Sequence, residues 1–72
     1  MSSDDKMVFE GVIIETARDI FTVVVSADHS IRATISGKLR TSGIRLLVGD
    51  RVSVECGLYD LTKGRVIFRH KA

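Results

Sequence analysis

His29 follows Asp28 directly, a pairing that can orient an imidazole as a general base, but no positioned nucleophile accompanies it, so catalysis is not expected. Cys56 is the single cysteine, and it alternates with Val52 and Val54 as a small buried core thiol does. One Cys cannot form an internal disulfide, and one Cys with two His cannot supply the ligand spacing of a structural zinc site. No metal or other cofactor is implied. His70, near the C-terminus, is expected to be exposed and at most a cation partner for phosphate. Gly37, Gly49, Gly57 and Gly64 punctuate turns and caps, and none belongs to a loop that could cradle a phosphate.

The chemistry left is electrostatic. The formal net charge is only +2, but it is unevenly spread: residues 1–28 carry −4, residues 29–51 carry +4, residues 52–60 carry −2 and residues 61–72 carry +4. Segregation of this kind implies a face turned toward a polyanion. Seven of the eleven basic residues are Arg, whose permanently charged fork matches phosphate oxygens. Aromatics are few, namely Phe9, Phe21, Tyr59 and Phe68, and the Phe residues fall mainly on inward positions. A single-strand binder that stacks bases on exposed rings would need more of them, so recognition of structured RNA through shape, phosphate and ribose contacts fits better. Tyr59 is the exception, because its loop position lets it either stack on RNA or close a barrel end.

Seventy-two residues and 7.9 kDa allow one small domain with a thin core, in which a deep catalytic cavity is hard to accommodate. Within it, apolar residues alternate with a period of 2 in short runs bounded by Gly and Asp. Val8 to Glu15 is a first strand, bent at Gly11 so that it can pair in two sheets. Ile20 to Ala27 and Ile31 to Ser36 are the second and third strands, with Asp28 and His29 turning between them. From Ser36 to Gly43 the alternation fails and one or two capped helical turns are expected. Arg51 to Cys56 is a fourth strand. A polar loop over residues 57–64 then leads to a fifth strand, Arg65 to His70, with Val66 and Phe68 inward and Arg65 and Arg69 outward. The predicted fold is all-β, a five-stranded OB-fold barrel with a short helix between strands 3 and 4. Residues 1–6 are expected to be a flexible start and residues 7–70 the domain. Periodicity alone also allows an SH3-like barrel.

Three runs carry a resemblance: Ser36-Gly37-Lys38-Leu39-Arg40, residues 44–52 reading Ile-Arg-Leu-Leu-Val-Gly-Asp-Arg-Val, and residues 58–69 from Leu58-Tyr59-Asp60 to Phe68-Arg69. In order and together they resemble bacterial translation initiation factor 1, a family of S1-type OB-fold proteins, from about Gly11 to Arg69. The resemblance implies a non-enzymatic protein that binds the decoding (A) site of the small ribosomal subunit. Its expected contacts are the decoding-site helix of 16S-type rRNA and a neighbouring ribosomal protein, and it is expected to act as a monomer beside the two other initiation factors. Transferred position by position, the RNA contacts fall on Lys38, Arg40, Arg45, Lys63, Arg65 and Arg69, with Tyr59 and Arg18 as further candidates. Arg18 lies in Thr16-Ala17-Arg18-Asp19, a connection shorter than the family's usual loop, which carries Pro and Asn and reaches into the RNA groove. Ala27-Asp28-His29 stands where Asn-Gly-His is usual, Thr34 where His is common and Gly43 where an aromatic is common. These departures point to a divergent or organellar member of the family.

Two other functions suit a basic barrel. A general OB-fold RNA-binding protein or RNA chaperone would bind many RNAs with little preference, and a protein-interaction barrel would show weak salt dependence. The start of the chain has neither a basic nor an apolar leader region, and no run approaches the roughly 18 apolar residues of a membrane span, so the cytoplasm or an organellar stroma is the expected compartment, with no membrane partner.

Overall fold

A computed structural model describes residues 6–70. The expected flexible start lies outside these residues over 1–5, and Lys6 opens the first strand. The elements are β1 (Lys6–Ala17), β2 (Ile20–Ser26), β3 (His29–Ile35), α1 (Gly37–Thr41), β4 (Arg51–Gly57) and β5 (Asp60–His70). They close a barrel in the order β1-β2-β3-β5-β4. Every neighbouring pair is antiparallel except β3 and β5, which run parallel. A parallel pair needs a long crossover, supplied here by α1, the segment after it and β4. A closed five-stranded barrel with its helix in the β3–β4 connection is the OB-fold arrangement.

β1 serves two neighbours. Lys6 to Val12 pair with β4, and Val12 to Ala17 pair with β2. Gly11 sits at this handover, where a Cβ would collide with the Val24 carbonyl oxygen and come within 2.8 Å of the Val23 and Val25 side chains. The double pairing expected of this strand is present, and its register shift lies slightly later, between Ile13 and Glu15. Alternation holds through β3 and β4, and through β2 up to a register shift between Val24 and Ser26: Val23, Ile31, Ala33, Val52, Val54 and Cys56 are all buried, and with Ile13 and Val66 they fill the barrel. Leu39 is the one buried residue of α1. The helix is held by Ser36, whose Oγ accepts from the Leu39 N–H at 3.3 Å, and it ends through Ser42 into Gly43, whose φ of 73° suits glycine.

Three local expectations are corrected. The β2–β3 turn is Ala27–Asp28, and His29 already belongs to β3. The polar loop over 57–64 shrinks to a two-residue turn, Leu58–Tyr59, because β5 begins at Asp60. Phe68 points outward with 54% of its surface exposed. The cause is a bulge: Val54 pairs with Val66 but Ser53 pairs with Phe68, so Ile67 is extra and the inside–outside phase of β5 reverses after it.

Candidate RNA interface

Arg18, Arg40 and Arg45 come together. Arg18 occupies the tight β1–β2 turn with a left-handed φ of 54°, which aims the turn without any longer loop. Arg40 follows the buried Leu39 on α1, and Arg45 stands between half-buried Ile44 and buried Leu46, so the anchoring of those leucines turns both guanidiniums outward. The three line a shallow groove of about 470 Å³ together with the apolar Phe21, Ile35 and Ile44 and the acidic Asp19. Lys38 is exposed on α1, one residue before Leu39, and does not line that groove.

Lys63 and Arg65 form a second basic area on the outside of the β3–β5 pair. The parallel register sets Lys63 beside Arg32 and Arg65 beside Thr34. Gly64 between them has no room for a side chain, since an added Cβ would lie 2.6 Å from the Glu55 carbonyl oxygen and 2.8 Å from Cys56 Sγ. Arg32 is not among the residues singled out from the sequence. Alternation in β3 places it outward, but its basic neighbour on β5 is revealed only by the non-local parallel pairing.

Arg69 differs from the others. It is half-buried, not outward, and its Nε lies 3.3 Å from Asp50 Oδ2, which also accepts the Leu47 N–H at 2.8 Å. No hydrogen bond of good geometry reaches that Nε, so the contact is an ion pair bracing the 47–50 turn. Among the described residues the ion pairs are Arg69–Asp50 and Lys6–Glu55, with the His70 ring close to Glu10, and none of these contacts involves Arg18, Lys38, Arg40, Arg45, Lys63 or Arg65. Tyr59, 94% exposed at the tip of the β4–β5 turn, leaves the barrel end to other residues.

The groups with chemical potential are tied into the fold. His29 Nε2 lies 2.6 Å from the Leu61 carbonyl oxygen and its ring meets Phe9 edge-on. His70 is half-buried, against expectation, with Nε2 2.8 Å from Ser53 Oγ and 3.4 Å from Glu10 Oε2. Burial pushes the Cys56 thiol up, with Asp60 and Glu55 adding to the effect. Hydrogen bonds from the Thr62 hydroxyl and then the Thr62 N–H hold the Asp60 carboxyl below its ordinary value, aided by Lys63. Among the described residues no group of three or more His, Cys, Asp or Glu is placed to hold a metal ion. No helix among them is long and apolar enough to cross a membrane.

No family model matches the chain. Among solved structures, it is similar to the solution structure of translation initiation factor 1 from the Wolbachia endosymbiont strain TRS of Brugia malayi. The TM-score is 0.78 and the sequence identity 38%, over 99% of this chain and 85% of that one. With the same barrel and more than a third of positions identical along almost its whole length, the chain belongs to the bacterial translation initiation factor 1 family.

Proposed function

We propose that this translation initiation factor binds the decoding (A) site of the small ribosomal subunit through rRNA contacts, as a monomer without catalytic activity, and assists the two other initiation factors there. The observation that carries the reading is the convergence of Arg18, Arg40 and Arg45 on one open groove, none of them engaged by a carboxylate among the described residues. Lys38 extends the positive rim, and Lys63 and Arg65 offer further phosphate contacts on the barrel side. Arg69 contributes by bracing the turn at Asp50, and Tyr59 offers its ring to a base. A preformed RNA surface suits this set, because scattered cations on a rigid barrel gain most when they engage at once.

The test is binding to isolated small subunits at increasing salt, read together with chemical probing of the rRNA. The parent should protect the two decoding adenines and leave most single-stranded bases untouched. Arg40→Ala and Arg45→Ala should each flatten the plot of log affinity against log salt by roughly 0.7 to 0.9. Weak protection spread over unrelated RNA sites would instead identify a general RNA chaperone, and unchanged slopes in both variants would place the binding face elsewhere.

A further inference from the structure

We propose that the outer face of the β3–β5 pair holds a second phosphodiester site, built on Arg32 and Lys63, that grips a stretch of RNA backbone separate from the one at the Arg18–Arg40–Arg45 groove. The proposal rests on the RNA-binding reading above and adds a residue, Arg32, to which that reading gives no role.

The geometry points to it in three steps. Arg32 and Lys63 are directly opposed across the parallel ladder, and both are exposed. Their outward phase is fixed by Ile31 and Ala33, fully buried on either side of Arg32, and by Gly64, where no side chain fits inward. Two like charges directly opposed on a sheet are unfavourable in the free protein. Among the described residues no carboxylate lies within ion-pair distance of either. The nearby acids are Glu15, which lies beyond Thr22 in the sequence of partners Glu15, Thr22, Arg32, Lys63 and shares a concavity with the pair, and Asp60, on which Lys63 acts, but neither is within ion-pair distance of Arg32 or Lys63. An anion between the two cations would relieve the repulsion.

The surroundings specify which anion. On one side of the Arg32–Lys63 pair lies a concavity of about 300 Å³ bordered by Ser30 and Thr62. On the other lies one of about 480 Å³ bordered by Thr22 and Thr34, with Glu15 also in its lining. A guanidinium fork and an ammonium can share the two free oxygens of one phosphodiester, while hydroxyls on both flanks face the adjoining riboses. Both concavities are open, so a small free anion has little to enclose it. A continuous backbone, whose next residue fills each flank, fits the pair.

The test compares the parent with Arg32→Ala, Arg32→Lys and the double variant Arg32→Ala/Arg40→Ala. Binding to isolated small subunits is measured across salt, and thermal unfolding of each free protein is measured at low salt. Arg32→Ala should flatten the salt slope by roughly 0.7 to 0.9, Arg32→Lys should restore most of it, and the double variant should lose about twice as much as either single change. The unfolding midpoint of Arg32→Ala should not fall, since the change removes one of two repelling charges. A parent slope in Arg32→Ala, with Arg40→Ala still flattened, overturns the second site and leaves the RNA reading standing. If the parent shows no salt-dependent binding to subunits, the RNA reading fails. Titration with a plain RNA duplex then decides: amide shifts confined to Ser30–Arg32 and Thr62–Lys63 uphold the site, and their absence overturns it.

Discussion

A thiol with apolar neighbours and two nearby carboxylates is hard to ionise, and Cys56 has both. It is nearly inaccessible between β4 and β5, and its one polar contact among the described residues is a long one, Sγ to the Leu61 carbonyl oxygen at 3.9 Å. Desolvation raises its pKa first, and the charges of Asp60 and Glu55 raise it further. The sign follows from linkage. An acid whose folded value exceeds its unfolded one contributes no penalty while both states keep the proton, and the folded state loses ground as pH rises past the ordinary thiol value of 9.0. Native protein should therefore resist alkylation at pH 8, with modification tracking only the unfolded fraction, and its urea midpoint should fall more steeply above pH 9 than that of Cys56→Ala. Rapid stoichiometric labelling of native protein, read by mass spectrometry, would contradict this. The thiol's burial was legible from its alternation with Val52 and Val54, whereas the ties of His29 and His70 to Leu61 and Ser53 were not, because each spans strands distant in sequence.

Strand by strand, period-2 reading succeeds wherever a strand keeps one phase. β3 and β4 do, and β2 does as far as Val24, before its own register shift, so Val23, Ile31, Ala33, Val52 and Val54 could be read as core directly. β5 does not: the extra residue Ile67 inverts the faces, and a straight reading carries Phe68 to the wrong side. Gly64 misleads in another way, since in sequence it looks like a turn glycine, while in the barrel it lets β5 press against the backbone of β4. The same non-local closure sets Arg32 beside Lys63, a neighbour relation that no local pattern announces. These placements predict unequal costs for truncating apolar side chains. Ile31→Ala, at a fully buried position, should lose about 2 to 5 kcal/mol of stability, whereas Phe68→Ala, more than half exposed and packed edge-on against His70, should lose less than about 2. Urea denaturation of both variants checks the ranking, and equal losses would show that the β5 bulge is misplaced.

Strand order also sorts the charge of the whole molecule. β1 and β4, which carry Glu10, Glu15 and Glu55, are neighbours, and so are β3 and β5, which carry Arg32, Lys63 and Arg65. Arg32, Lys63 and Arg65 thus share one stretch of the barrel wall while Glu10 and Glu15 lie on β1, although Glu55 stands directly opposite Arg65 across the β4–β5 ladder and the net charge is only +2. The described residues extend over 32 × 30 × 22 Å. Electrostatic forces decay over about 30 Å at 0.01 M salt and about 8 Å at 0.15 M, so at low salt the cations of the basic face feel one another across its full width, while at physiological salt only near neighbours do. Salt should consequently act with opposite signs on the two properties of the protein. Raising it from 0.01 to 0.15 M screens the crowded cations and should raise the unfolding midpoint of the free chain, while the same change should lower its affinity for small subunits several-fold for each phosphate contact, because counterion release then gains less. Bound RNA supplies the missing negative charge, so at low salt a structured RNA in excess should stabilise the chain more than it does at 0.15 M. Calorimetric scans with and without RNA at both salt concentrations measure all of these effects. Parallel salt responses of stability and affinity would mean that the sorted charge does not face the nucleic acid.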